Sequence, residues 1–247
     1  MRLARIRTDE GVLTGAYEGG DSNAYDGTVT TDEGTFVVGE DAELLAPCEP
    51  TAMYCVGRNY AATIDQMDYE RPDEPDWFIK PPASVVGPGR DVTYPSWTEE
   101  LTYAGELAAV VDVACTDLAE DEVDEVIRGY TIMNDLDALD QDERTPRKAF
   151  DGSGPLGPWL ETDVEPSSLD MTTHVGGELR QEANTELMLF SPREIVAFLS
   201  QRYTFQPGDV ISFGSPANPG LVDPGEEVAI WYENIGTLRN TVVAAEE

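Results

Sequence analysis

Leu101-Thr102-Tyr103-Ala104-Gly105-Glu106-Leu107-Ala108-Ala109-Val110-Val111 is the stretch whose reading decides the fold. Leu107 to Val111 is an unbroken apolar run, and it belongs to a long strand expected to begin near Leu101. Outward from it, Tyr130 to Met133 is again a strand and runs into Asn134-Asp135. Met53-Tyr54-Cys55-Val56 reads as a buried strand ending at Gly57, with a short helix following through Asn59 to Met67. Thr116 to Arg128 reads as an acidic amphipathic helix stopped by Gly129. Ser191-Pro192-Arg193-Glu194 is the clearest helix start: a serine cap, proline at the first helical position and glutamate three residues after the cap. Asp209 to Phe213 and Val228 to Tyr232 add short strands between Gly/Pro turns.

Residues 1 to about 46 form a small β unit of their own. Arg2 to Arg7 alternates with period two, Asp9-Glu10-Gly11 and Asp32-Glu33-Gly34 are turn signals, and Thr35 to Val38 is strand-like. Pro47 and Pro50 bracket a boundary, which divides the chain into a β domain over 1–50 and a main domain over 51–247. The sum is a β-rich α+β protein with few helices.

The chain has 49 acidic residues against 15 Lys and Arg, a formal net charge of −34. Such self-repulsion weakens a compact state at low ionic strength, whereas at ~1 M salt the Debye length falls to about 3 Å. Acid spread along the whole chain therefore suggests a high-salt cytoplasm. It also argues against nucleic acid and anionic membrane surfaces as partners. No run of about 18 apolar residues is present, so no transmembrane helix is expected, and Met1 to Thr8 lacks the apolar core of a secretory signal. Cys48, Cys55 and Cys115 match no zinc spacing and read as free thiols in a reducing compartment.

Only two of the fifteen cations are lysines, Lys80 in Trp77-Phe78-Ile79-Lys80-Pro81 and Lys148 in Arg147-Lys148-Ala149-Phe150-Asp151. Neither segment reads as a surface helix. An ammonium is a compact donor whose pKa moves on burial, a task that arginine cannot take over.

Read together, the strand ends carry a resemblance. Val56-Gly57-Arg58-Asn59-Tyr60-Ala61, Phe78-Ile79-Lys80-Pro81, Gly105-Glu106-Leu107-Ala108, Asn134-Asp135, Lys148-Ala149-Phe150-Asp151 and Pro155-Leu156-Gly157-Pro158-Trp159 resemble the fumarylacetoacetate hydrolase family, as do Gly177 to Gln181, Pro207 to Ile211, Gly214-Ser215-Pro216 and Gly236 to Asn240. The matches run in order from about residue 53 to 243. The resemblance implies a mixed β-roll catalytic domain behind a small N-terminal β domain, a homodimer, and Mg²⁺ or Mn²⁺ at the site. The substrates it implies are small 2-oxo or β-diketo acids, which such enzymes cleave, decarboxylate, hydrate or isomerise. A divalent ion held by carboxylates would chelate the 2-oxo-carboxylate and stabilise its enolate.

Carried over residue by residue, the resemblance makes Glu106 and Asp135 the metal ligands, while Ala104 stands where a further carboxylate is expected. Glu100 and Asp137 are conceivable substitutes. Thr63 and Gln66 replace the histidine and glutamate that activate water in the family's hydrolases, and neither is a general base near neutral pH. Leu139 replaces a carboxylate-binding arginine, a role for which Arg144 or Arg147 could reach in. Lys148 is the expected catalytic residue, and Arg58, Lys80, Gln181 and Ser215 are expected to bind substrate. His174, in the Met171 to Val175 strand, is expected to be structural. Two functions remain open: a divergent enzyme on a small 2-oxo or enol acid, favouring isomerisation or decarboxylation over hydrolysis, and a catalytically degenerate relative that binds a metabolite or a partner subunit. Convergence of Glu106 and Asp135 with a third carboxylate favours the first; an ion pair filling that space favours the second.

Overall fold

A computed structural model of the chain describes residues 1–19, 25–68, 70–217 and 220–245. It is a β-rich α+β structure, as the strand signals imply. Its largest sheet runs Gly34–Val37, Thr28–Thr31, Gly11–Glu18, Arg2–Thr8, Gly154–Glu161, Ile127–Asn134, Gly105–Val111, Val210–Ser212, Met53–Gly57 and Asp76–Lys80. A second sheet is ordered Glu178–Asn184, Asp170–Val175, Glu227–Tyr232, Gly236–Ala244 and Val92–Tyr94. Among the described residues no helix is long and apolar enough to cross a membrane.

All seven residues of Gly105–Val111 are buried, because Ile127–Asn134 and Val210–Ser212 flank the strand and the second sheet covers it. Leu107 and Ile132 pack in one apolar core with Met171, Ile230 and Leu238 of that second sheet. Burying each such side chain contributes about 1.5–3 kcal/mol. Gly105 is what permits the approach. A Cβ there would lie 2.5 Å from Thr173 Oγ1 and 2.9 Å from Ile230 Cγ2. Gly105→Ala is accordingly expected to destabilise the protein by about 1–3 kcal/mol through overpacking, read as a lowered denaturant midpoint in high salt. An unchanged midpoint would mean that the second sheet retreats at no cost.

The N-terminal strands extend the large sheet through the pairing of Arg2–Thr8 with Gly154–Glu161. Their apolar cluster, Ala4, Ile6, Tyr17, Val29 and Leu44 among it, closes on Trp159 from the other part of the chain. The Trp159 ring stacks on Tyr17 with centroids 4.3 Å apart, and its indole N–H donates to the Ile235 carbonyl at 2.7 Å.

Two sequence readings change. The acidic segment from Thr116 to Arg128 is not an amphipathic α-helix: only Glu120–Glu125 is helical, as a 3₁₀ segment, and a strand already starts at Ile127. Carboxylates three and four residues apart repel along an α-helix. The segment is held instead by its backbone, Asp117 N–H donating to the Ser200 carbonyl and Leu118 N–H to Ser200 Oγ. The long strand from Leu101 is in fact broken. Leu101–Thr102 pairs with Asp137–Ala138, whereas Gly105 onward pairs with Ile127–Asn134. The capping box at Ser191 forms as read and opens the helix Pro192–Ser200.

Candidate active site

The break between Thr102 and Gly105 shapes the floor of a pocket. The freed Ala104 N–H donates to Asn134 Oδ1 at 3.1 Å, and the Ala104 carbonyl accepts from Asp135 N–H at 2.9 Å. Positions 104 and 135 are thereby locked side by side, with Glu106 two residues along the strand. Glu106 is buried and accepts from Ser212 Oγ at 2.5 Å and from Gly214 N–H at 3.3 Å. Gly214 turns with φ +87°, and a Cβ there would sit 2.9 Å from Asn59 Cβ and 3.0 Å from the Val56 carbonyl. No other residue would bring that N–H to Glu106 without strain.

Both lysines converge on Asp135. Lys80 is fully buried, with its ammonium 2.9 Å from Asp135 Oδ1. It also donates to the carbonyls of Leu136, Lys148 and Ser153 at 2.9, 2.6 and 2.8 Å. Lys148 ends the short helix Arg144–Lys148 and approaches the other oxygen, Oδ2, at 2.5 Å. Its segment is thus a helical turn, contrary to the sequence reading. Pro146 is tolerated there because the first turn needs no N–H from it. Lys148 also lies 3.1 Å from Asp137 Oδ2, and Arg147 grips Asp137 with both arms at 2.8 and 2.6 Å. Lys80, Asp135, Lys148, Asp137 and Arg147 therefore form a row of alternating charge.

A second fork lies at the rim. Arg144 binds both oxygens of Asp76 at 2.7 and 2.8 Å, and Arg58 reaches the same carboxylate at 2.7 Å. Arg58 has φ +56°, a left-handed conformation that costs a non-glycine residue about 1–2 kcal/mol. The Lys148 ammonium and the Arg144 guanidinium both lie over the Phe78 ring, 5.2 and 5.4 Å from its centroid.

The charges resolve as follows. Burial works to lower the Lys148 pKa, but Asp135 and Asp137 outweigh it and hold it above the ordinary lysine value. Burial works to raise Asp135, but Lys148 and Lys80 outweigh that and keep it below the usual carboxylate range. Burial dominates at Lys80, whose pKa is lowered despite Asp135. At Glu106 burial, reinforced by the Asp135 charge, pushes the pKa up to about 8.

The pocket has a volume of about 350 Å³. Arg58, Arg144, Arg147, Lys148 and Ser215 give it a polar side, and Phe78, Tyr103, Ala104, Leu139 and Pro216 an apolar one. Of the residues read from sequence, Glu106, Asp135, Arg58, Lys148 and Ser215 meet here. Lys80 lies behind Asp135 and shows no surface to the pocket, so its setting is that of a buried structural cation rather than a substrate contact. Gln181 is likewise a support. It accepts from Gly105 N–H at 3.1 Å and donates to Ser215 Oγ at 2.8 Å and to the Pro216 carbonyl at 3.0 Å, which fixes the loop carrying Ser215. Thr63 lines the pocket, with its hydroxyl donated to the Ser215 carbonyl at 3.0 Å. His174 lies elsewhere, in a shallow depression with Trp231 and Arg239 on the second sheet. Asp76 was invisible to the sequence reading: one carboxylate among 49 carries no signal until its arginines are placed around it.

A divalent ion fits these donors poorly. Position 104 offers a methyl group, and both oxygens of Asp135 face ammonium groups. An ion ligated by Asp135 Oδ2 at about 2.1 Å would come within about 4.6 Å of the Lys148 ammonium, given the 2.5 Å contact. At such a separation the repulsion of a double by a single charge is about 7 kcal/mol for an effective dielectric of 20. Glu106 has one oxygen engaged by Ser212 and Gly214. Among the described residues no three His, Cys, Asp or Glu side chains gather around one point. The third carboxylate expected beside Glu106 and Asp135 is therefore absent among the described residues, and an Mg²⁺ or Mn²⁺ ion there would have two carboxylates and two ammonium groups for neighbours.

Comparison with known proteins places this geometry. The model of the fumarylacetoacetate (FAA) hydrolase C-terminal domain matches residues 52–243. Protein Rv2993c of Mycobacterium tuberculosis is 35% identical over 261 residues, covering 98% of each chain. The crystal structure of a 5-carboxymethyl-2-hydroxymuconate delta-isomerase from Mycobacterium smegmatis superposes with a TM-score of 0.89 at 35% identity over 100% of both chains. A fumarylpyruvate hydrolase from Pseudomonas aeruginosa, solved with Mn²⁺ and pyruvate, has a TM-score of 0.76 at 29% identity, covering 84% of this chain and 94% of that one.

Proposed function

From the premise that the chain belongs to the fumarylacetoacetate hydrolase family, we propose that its pocket binds the anion of a small 2-oxo or enol acid and interconverts its enol and keto forms. One observation carries the anion-binding part of this reading. In a chain of net charge −34, five of the fifteen cations, including both lysines, surround a single 350 Å³ pocket and its floor. Four carboxyl groups, Asp76, Glu106, Asp135 and Asp137, stand among them. A surplus of positive charge in so acidic a protein draws an anion to that place and to few others.

The chemistry follows from what surrounds it. Ketonisation of an enol moves one hydrogen from oxygen to the neighbouring carbon, with no bond to water made. Lys148 provides a fixed positive charge for the enolate oxygen that develops in between. Glu106, on the pocket floor, is the carboxyl placed to relay the proton. Hydrolytic C–C cleavage needs a base to activate water, and Thr63 is not one. The likeness to a 5-carboxymethyl-2-hydroxymuconate delta-isomerase, named for an enol substrate, supports the same choice.

The second reading, a pocket that binds such an anion without turnover, is favoured by the ion pairs that fill the space beside Ala104. Ultraviolet absorbance of enol oxaloacetate in high salt separates the two. Ketonisation accelerated by about 10²–10⁴-fold over buffer is the expected result, the range for a positioned acid–base group. Saturable binding with no acceleration would leave the second reading standing. Absence of binding would sink both.

A further inference from the structure

We propose that in this pocket a row of side-chain cations takes the place of a divalent ion, so that the anionic ligand is captured and polarised without metal. The inference rests on the anion-binding reading above and goes beyond it by assigning the electrophile.

Asp137 is a pocket carboxylate that the proposed reaction does not otherwise use. It is buried, it lies on the strand that pairs with Leu101–Thr102, and it holds Lys148 at 3.1 Å and Arg147 at 2.8 and 2.6 Å. Without it the Lys148 ammonium would have one carboxylate partner, Asp135, which is already paired with Lys80. Asp137 is therefore a positioning residue: it draws Lys148 and Arg147 to one side of the pocket and fixes their spacing.

Position 104 completes the argument. Its backbone is bonded on one side to Asn134 and on the other to Asp135, so a side chain there emerges beside the Asp135 carboxylate. With alanine in that place the negative charge facing the ligand falls, and no carboxylate at position 104 adds to those of Asp135 and Asp137 around the two ammonium groups. Cation and carboxylate are thus rearranged together: a carboxylate is lacking where it would bind a metal, and one is present at Asp137 where it binds Arg147 and Lys148. A 2-oxo-carboxylate presents adjacent oxygens, which suit two neighbouring N–H donors as well as they suit a metal ion.

Oxalate, a planar mimic of such an anion, and Mn²⁺ alone are the probes. Oxalate is titrated calorimetrically into wild-type protein in molar KCl, with EDTA and then with added Mn²⁺. Free Mn²⁺ is followed by its electron paramagnetic resonance signal. The expected result is oxalate binding that EDTA leaves unchanged and that Asp137→Asn weakens about 10-fold, with Mn²⁺ remaining free. Ala104→Glu should then tighten Mn²⁺ binding by about 100-fold, since it supplies a ligand beside Asp135. Oxalate binding that appears only with Mn²⁺, or stoichiometric Mn²⁺ uptake by the wild type, overturns this inference and leaves the anion reading intact. Absence of oxalate binding under every condition overturns the anion reading itself. The wild-type titrations decide the matter even if the variants do not fold.

Discussion

Lys80→Met is expected to destabilise the protein by about 3–5 kcal/mol, enough to unfold much of it at ordinary temperature. The side chain is fully buried, and methionine has nearly its volume, so packing is conserved and the loss is electrostatic. What remains is Asp135 without the cation at its Oδ1 and three carbonyls, of Leu136, Lys148 and Ser153, without their donor. A buried group stripped of its partner costs more than the pair ever contributed. Those three carbonyls lie in three separated segments of chain, so one ammonium ties together the strand end after Asn134, the end of the Arg144–Lys148 helix and the turn before Gly154. Denaturant unfolding in high salt measures the effect. A change below about 1 kcal/mol would mean that Asp135 takes up a proton or water enters, and that the buried ammonium is not the tie described.

Lys148→Met should leave the fold and remove the chemistry. Asp135 keeps Lys80 and Asp137 keeps both arms of Arg147, so no carboxylate is orphaned and the stability cost should stay within about 1–2 kcal/mol. The charge offered to a developing enolate disappears, however, and removal of one such preorganised donor typically costs about 10²–10³ in rate. Lys148→Arg should not restore it: the guanidinium is larger, planar and directional, and 2.5 Å and 3.1 Å contacts to two different carboxylates leave no room for its fork. The readout is kcat and KM for enol ketonisation in both variants. Equal loss in Lys80→Met and Lys148→Met at matched folded fraction would show that the two lysines share one role. Full activity in Lys148→Met would remove it from the site.

These two lysines look alike in the sequence and part company in three dimensions. Both stand at family motifs, and both end beside the same aspartate. Lys80 is on the innermost side, 0% exposed, whereas the Lys148 side chain keeps 14% of its surface at the pocket. No local pattern separates these cases, because the difference lies in which loop covers which face. Arg144 and Arg147 show the same limit. Three residues apart, they could be read as pocket candidates, yet one grips Asp76, 68 positions away, and the other Asp137, ten positions away.

The errors have physical causes too. Thr116 to Arg128 has helical spacing of its few apolar residues, but its clustered carboxylates and its backbone bonds to Ser200 favour an irregular course. From sequence the strand from Leu101 reads as continuous, since Tyr103 and Ala104 are unexceptional strand residues. Only a change of partner, from Asp137–Ala138 to Ile127–Asn134, breaks it. That break is what aims position 104 at the pocket.

By itself the sequence determined the β-rich α+β fold, the buried apolar strand run 107–111, the capped helix at Ser191 and the family. Each rests on short-range rules: apolar runs, caps, turn residues and ordered motifs. It also marked Lys148 and the substitution at Ala104. The tertiary structure alone placed Lys80 behind Asp135 and Gln181 against the loop of Ser215, set Asp76 and Asp137 on the arginines, and gathered five cations around one pocket of an acidic chain. Electrostatic energy depends on distances between side chains remote in sequence and on how much water lies between them, and neither quantity exists until the sheets have closed.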